Sequence, residues 1–159
     1  MRLFRPLTIL LVLFLSPALA AETTVSSIIG DNMVLQRSAP VVLWGWDDAG
    51  TRVTVKIGTS SATATAADDG SWSVSLPAMK AGGPHAIAIS GSSTLDIKNV
   101  LVGEVWFCSG QSNMEWTVRS SSNAKEEIAN ANHPLIRHAK MAHRPSMVPL
   151  DDIKSEWQV

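Results

Sequence analysis

The chain has 159 residues, with 13 basic and 14 acidic side chains and a formal net charge of −1. This balance provides no field of one sign, so nucleic acid and other polyanions are not expected partners. The single cysteine, Cys108, excludes an internal disulfide and leaves stability to a packed core. No histidine–cysteine spacing suggests zinc, and no metal or organic cofactor is expected.

Arg2 and Arg5 precede an apolar run over 7–15, and Ala18-Leu19-Ala20 forms a small-x-small cleavage site. Residues 1–20 therefore read as a signal peptide, with Ala21 opening the mature chain. The alternative, an uncleaved anchor helix, suits the run poorly because it is too short to span a bilayer comfortably. The expected location is periplasmic or extracellular, with no membrane association after cleavage.

From 21 to 100 the pattern is one of short strands with turn punctuation. An apolar run covers 41–46 and a turn follows over 47–50. Val53, Val55 and Ile57 then alternate with Arg52, Thr54 and Lys56, the period of a half-buried strand. A weaker strand of small residues and threonines is expected over 62–67. Asp68-Asp69-Gly70 is a hairpin signature, and Trp72, Val74 and Leu76 alternate with serines after it. Ala81-Gly82-Gly83-Pro84 breaks the chain. Ile87 with Ile89, and Leu95 with Ile97, supply two further apolar faces. Strands at this spacing predict an antiparallel β-sandwich, Ig-like or jelly-roll-like, over 21–100. Trp44, Trp46 and Trp72 are expected as core anchors, since large aromatics dominate burial in small cores. The opposite reading makes them sugar-stacking platforms. His85 reads as a surface residue beside a turn.

The texture changes after Val100. Residues 101–107 lack alternation, as in a strand covered on both faces, and Cys108 at its end reads as a small buried hydrophobe. Asn123 and Glu126 have the spacing of a capping box for a helix over about 124–131. His133 then falls near the helix terminus, where a cationic ring is favoured. The next strand is expected over 135–141, with His138 and His143 flanking its end. Strand, turn, helix and strand open an α/β domain. Residues 101–159 are thus expected to be the first, incomplete part of such a domain, because further units of a parallel sheet do not follow before Val159.

The turn at the end of the run 101–107 carries the chemistry. It reads Gly110-Gln111-Ser112-Asn113-Met114. A serine presented on a tight turn after a strand can project its hydroxyl while backbone N–H groups face a developing oxyanion, which makes Ser112 the candidate nucleophile. The G-x-S-x-G elbow is absent, because Met114 occupies its second glycine position. A serine in a Gly-x-Ser turn also has an ordinary role as a turn former. The stretch resembles the first sequence block of the SGNH (GDSL-like) hydrolases, and more narrowly the Gly-Gln-Ser-Asn form found in sialate O-acetylesterases. Asn32-Met33-Val34-Leu35-Gln36, Trp44-Gly45-Trp46, Asp69-Gly70-Ser71-Trp72, Gly82-Gly83-Pro84, Val102-Gly103-Glu104-Val105-Trp106, Pro134-Leu135-Ile136-Arg137 and the surroundings of Trp157 resemble the amino-terminal half of that family.

The resemblance implies a β-sandwich followed by the truncated start of an SGNH-type α/β domain. It further implies removal of acetyl groups from sugar hydroxyls, typically in O-acetylated sialic acids, with some similar proteins acting on acetylated plant polysaccharides. Ser112 matches the nucleophile position, and its own N–H would be one oxyanion donor. Gly110 gives the turn clearance, and Gln111 and Asn113 either orient the turn or touch substrate; their plainer role is bonding to local backbone. The family takes its base from an Asp-x-x-His segment and further oxyanion donors from later blocks. None of these is visible here, and His85, His133, His138 and His143 lack that context. Asp151-Asp152 reads as a solvated turn. The chain by itself is therefore expected to be inactive or nearly so. The rival reading is a non-catalytic exported module binding glycan through Trp44, Trp46 or Trp72. Nothing in the pattern specifies an oligomeric state.

Overall fold

A computed structural model describes residues 22–159; the expected signal peptide and its cleavage site lie outside the described residues. Among the described residues the regular structure is mostly strand, with one α-helix. In order the elements are β1 (Thr24–Val25), β2 (Val34–Gln36), β3 (Val41–Trp46), β4 (Arg52–Ile57), β5 (Ser60–Thr65), β6 (Ser71–Leu76), β7 (Gly82–Ser90), β8 (Thr94–Gly103), α1 (Ala124–Asn130), β9 (His138–Ala139) and β10 (Trp157–Gln158). They form a three-stranded sheet in the order β1-β3-β6, a five-stranded sheet in the order β2-β8-β7-β4-β5, and the small pair β9-β10.

Period-two patterning builds both larger sheets. In β4 the side chains of Val53, Val55 and Ile57 are buried, while Arg52 and Lys56 face water. β6 buries Trp72, Val74 and Leu76 and exposes Ser73 and Ser75. Leu43, Trp72, Val74 and Leu76 from the three-stranded sheet join Val53, Val55, Ile87, Ile89, Ile97 and Val100 from the five-stranded one in a single apolar core. Each such side chain contributes about 1.5–3 kcal/mol on burial.

Several expectations need correction. The ladder is not wholly antiparallel: β2 runs parallel to β8, with Val34 opposite Leu101. Asp68-Asp69-Gly70 does reverse the chain, for Gly70 N–H donates to Ala67 O and Ser71 N–H to Asp69 Oδ1. It does not make a hairpin, because β5 pairs with β4 while β6 pairs with β3. The turn hands the chain from one sheet to the other. Of the three tryptophans, Trp72 is buried and Trp44 packs against the core, whereas Trp46 is half-buried and outside that cluster. His85 is not a plain surface residue: it lies within β7, half-buried, and its Nε2 is buried without a hydrogen-bond partner.

The larger correction concerns 101–107. The strand ends at Gly103, and Val105, Trp106 and Phe107 are exposed, the last two at 83% and 89%. Cys108 is exposed as well. Apolar side chains become a buried strand only where other elements cover both faces, and among the described residues none covers these. The strand expected over 135–141 shrinks to β9 for the same reason, with Leu135 and Ile136 exposed. The helix forms where expected, but Asn123 makes no side-chain cap; it sits in the left-handed region at φ 57°, and its carbonyl accepts from the N–H groups of Glu126 and Glu127.

Gly45 admits β1 to its sheet. A Cβ at this position would stand 1.9 Å from Thr24 O, so only glycine allows β1 to lie against β3 there. Just beyond, Asp47 is buried. Its Oδ2 lies 2.7 Å from Thr23 Oγ1 and accepts the Ser92 N–H at 3.1 Å, while Oδ1 accepts the Asp48 N–H at 2.7 Å. Burial pushes the Asp47 carboxyl up, but the hydrogen bonds from Ser92, Thr23 and Asp48 outweigh it and hold the group below its ordinary value.

Candidate active site

The approach to Ser112 begins at the end of β8. The Gln36 side chain brackets the exit: its Oε1 accepts the Val105 N–H at 2.9 Å, and its Nε2 donates to Glu104 Oε2 at 3.1 Å. Arg37 Nε donates to the other Glu104 oxygen. The hydrogen bonds from Gln36 and Arg37, helped by the charge of Arg37, hold the Glu104 carboxyl below its ordinary value. After Gly103 the backbone leaves the sheet, and Gln111 is extended.

Ser112 opens a 3₁₀ turn, Ser112–Glu115, none of whose residues is buried. Two backbone bonds close it, from Met114 N–H to Gln111 O at 2.9 Å and from Trp116 N–H to Asn113 O at 3.2 Å. The carbonyls of Gln111 and Asn113 therefore shape the turn, and among the described residues the side chains of Gln111, Ser112 and Asn113 make no hydrogen bond. Met114 folds over Gly110, where a Cβ would come within 2.9 Å of Met114 Cγ.

The turn meets the rest of the chain through Glu115. Its Oε1 lies 3.2 Å from His143 Nε2 and 3.9 Å from Lys140 Nζ. A shallow hollow of about 310 Å³ is lined by Glu115, Lys140, Met141, Ala142 and His143. His143 is thus brought to the residue three positions after Ser112. His138 lies in β9, and His133 lies exposed beyond α1, where its carbonyl accepts the Ile136 N–H. No hydrogen bond joins Ser112 to any histidine among the described residues. Nor do the described residues contain a group of three or more histidine, cysteine, aspartate or glutamate side chains placed to hold a metal ion.

Three ties return the later chain to the stretch 26–32. Arg137 Nη1 donates to Asn32 O at 3.1 Å and to Asn99 O, and Nη2 donates to Asn99 Oδ1 at 3.1 Å. Asp152 accepts from Ser26 Oγ, Ser27 Oγ and the Ser27 N–H at 2.8–2.9 Å. Trp157 Nε1 donates to Ile28 O at 2.7 Å. Asp152 is therefore no solvated turn residue. Burial pushes its carboxyl up, yet the bonds from Ser27 and Ser26 outweigh that and hold it below its ordinary value. The local sequence carried no sign of these ties, because their partners lie 38 to 129 positions away.

No family model matches the chain. Among curated proteins, the human sialate O-acetylesterase (Homo sapiens) is 38% identical over 117 residues, which are 66% of this chain and 22% of the relative. The mouse enzyme of that name (Mus musculus) is 33% identical over 141 residues, 80% of this chain and 26% of the relative. Among solved structures, a carbohydrate acetylesterase from Xanthomonas citri superposes with a TM-score of 0.83 at 34% identity, covering 86% of this chain and 32% of that one. The chain belongs to the sialate O-acetylesterase family. It spans 22–26% of the length of these curated relatives. No described helix is long and apolar enough to cross a membrane.

Proposed function

We propose that this chain supplies the nucleophilic turn of a serine esterase that removes O-acetyl groups from sugars, with O-acetylated sialic acids as the leading substrate class. The observation that carries this reading is the presence of an exposed Gly110-Gln111-Ser112-Asn113 turn in a chain 33–38% identical to sialate O-acetylesterases. In this proposal residues 21–100 are a β-sandwich of an exported protein, and 101–159 begin an SGNH-type α/β domain. The exposed Trp106 and Phe107 support the latter, since a further layer of such a domain would cover them.

The mechanism follows from the hydroxyl. A serine is a weak nucleophile until a base removes its proton. Ser112 Oγ then attacks the acetyl carbonyl, and the Ser112 N–H, with donors from outside this chain, stabilises the oxyanion, each donor being worth about 10²–10³ in rate. Collapse expels the sugar oxygen, which takes up the proton, and leaves acetyl-Ser112. Water attacks this ester and releases acetate. The base is expected from an Asp-x-x-His segment that these 159 residues do not contain. The chain alone is accordingly proposed to be inactive.

The burial of Trp72 removes it from the three alternative stacking platforms, Trp44, Trp46 or Trp72, of the glycan-module reading. Acetate release from an O-acetylated sugar tests the proposal. The 159-residue chain should show no Ser112-dependent release. In the protein expressed from the whole reading frame that encodes this segment, Ser112→Ala should lower turnover about 10⁴-fold or more. Undiminished turnover in that variant overturns Ser112 as nucleophile, and Ser112-dependent turnover by the 159-residue chain overturns its inactivity.

A further inference from the structure

We infer that Glu115 is the positioning residue of the Ser112 turn, holding it to the strand region through His143 and Lys140. The inference rests on the reading of Ser112 as nucleophile, which gives the orientation of this turn its importance. A one-ångström displacement of an attacking atom can cost about 10²-fold in rate, so a serine on an exposed 3₁₀ turn requires an external reference.

Within Ser112–Glu115, the backbone bonds are local and fix only the shape of the turn, not where it sits. Among the described residues, the polar side-chain contacts from the turn to a distant part of the chain are those of Glu115 with His143 and Lys140. That second segment is itself held. Arg137 fastens its start to Asn32 and Asn99. β9 pairs with β10, placing Ala139 opposite Trp157, and Ala142 N–H donates to Lys154 O at 3.3 Å. Trp157 and Asp152 carry the connection to Ile28, Ser26 and Ser27. Ser26 is buried, and Ile29 belongs to the core. Polar contacts and the backbone between them thus connect the turn to the packed interior, and they meet the turn at Glu115, whose side chain is exposed like those of His143 and Lys140.

An exposed ion pair is worth about 0.2–1 kcal/mol, too little to decide whether the chain folds but enough to bias where one short turn lies. Glu115 is accordingly assigned a positioning role and no contact with the reacting atoms.

Backbone ¹⁵N relaxation of the 159-residue chain tests this directly. In the wild type the amides of residues 112–116 should have order parameters in the rigid range, near about 0.85. In Glu115→Gln they should fall below about 0.6, while β3 and β6 stay rigid and report an intact fold. Salt at about 1 M, with a Debye length of about 3 Å, should loosen the wild-type turn in the same direction. The reversed pair, Glu115→Lys with His143→Glu, should restore rigidity, which a role in packing alone would not do. An unchanged turn in Glu115→Gln overturns the inference, as does a turn that loosens without rescue by the reversed pair. The measurement involves no ester hydrolysis, so a failed Ser112→Ala test and a failed positioning test are read separately.

Discussion

Residues up to Gly103 and residues after it solve the problem of order in different ways. Among the described residues every buried hydrophobic side chain lies between Ile29 and Val102, and none after Val102 is buried. The strand region is ordered by non-directional burial, summed over many side chains. The later segment is held mainly by a few directional contacts: the Arg137 fork on Asn32 and Asn99, the Asp152 clasp on Ser26 and Ser27, and the indole of Trp157 on Ile28, with Trp157 also packing against the core. The second region is rich in apolar residues, with Trp106, Phe107, Leu135 and Met147 among them. Apolar content therefore does not make a core; a facing layer does.

The largest effects are expected inside the strand region. Leu43→Ala and Ile87→Ala each empty a fully buried site, and each should cost about 2–5 kcal/mol, read from urea denaturation followed by far-ultraviolet circular dichroism. A loss below 1 kcal/mol at both sites would show that the core carries less than this contrast requires.

An intermediate effect is expected at Asp47. Asp47→Asn turns an amide toward the Thr23 and Ser92 donors and should cost about 1–3 kcal/mol. The folded-state value of this carboxyl is depressed, so its contribution is fully present above the ordinary carboxylate value near about 3.9 and is lost as pH falls through the lower folded value. Asp152 is depressed in the same direction and follows the same rule. Stability should thus be level between about pH 5 and 7 with respect to these two groups and decline below about 4, with a shallower decline in Asp47→Asn. Urea midpoints measured across that range decide it; parallel declines would remove Asp47 from the account. The smallest effect is expected in the later segment. Phe107→Ser changes an aromatic that is 89% exposed, and it should alter the stability of the strand region by no more than about 0.5 kcal/mol.

What could be read in the sequence was whatever is encoded by neighbours. The alternation over Arg52–Ile57 and Ser71–Leu76 announces two strands and their inward faces. The Gly110-Gln111-Ser112-Asn113 turn was visible because its motif is contiguous. The partner choice of β5 and β6 was not visible, since Asp68-Asp69-Gly70 specifies a reversal and says nothing about which sheet the following strand enters. A buried strand over 101–107 holds for Leu101 and Val102 and fails from Glu104 on, because hydrophobicity belongs to the residue, whereas cover belongs to other elements. Asp47 and Asp152 looked like loop acids for a related reason: their roles arise from hydroxyl groups and N–H donors brought together only by the fold. His143 could not be linked to Glu115 from spacing, and its contact is a product of the route taken by the segment after β9.

The parallel pairing of β2 with β8 has a consequence for how the molecule is made. The second strand to leave the ribosome finds its neighbour only in the last strand of the larger sheet, and until then one edge of the growing sheet has no complement. Such long-range closure slows folding and leaves an unpaired edge open to other chains in the interval. Nascent protein should therefore be most prone to aggregate just before Gly103 emerges, and a holdase chaperone would be most useful in that window.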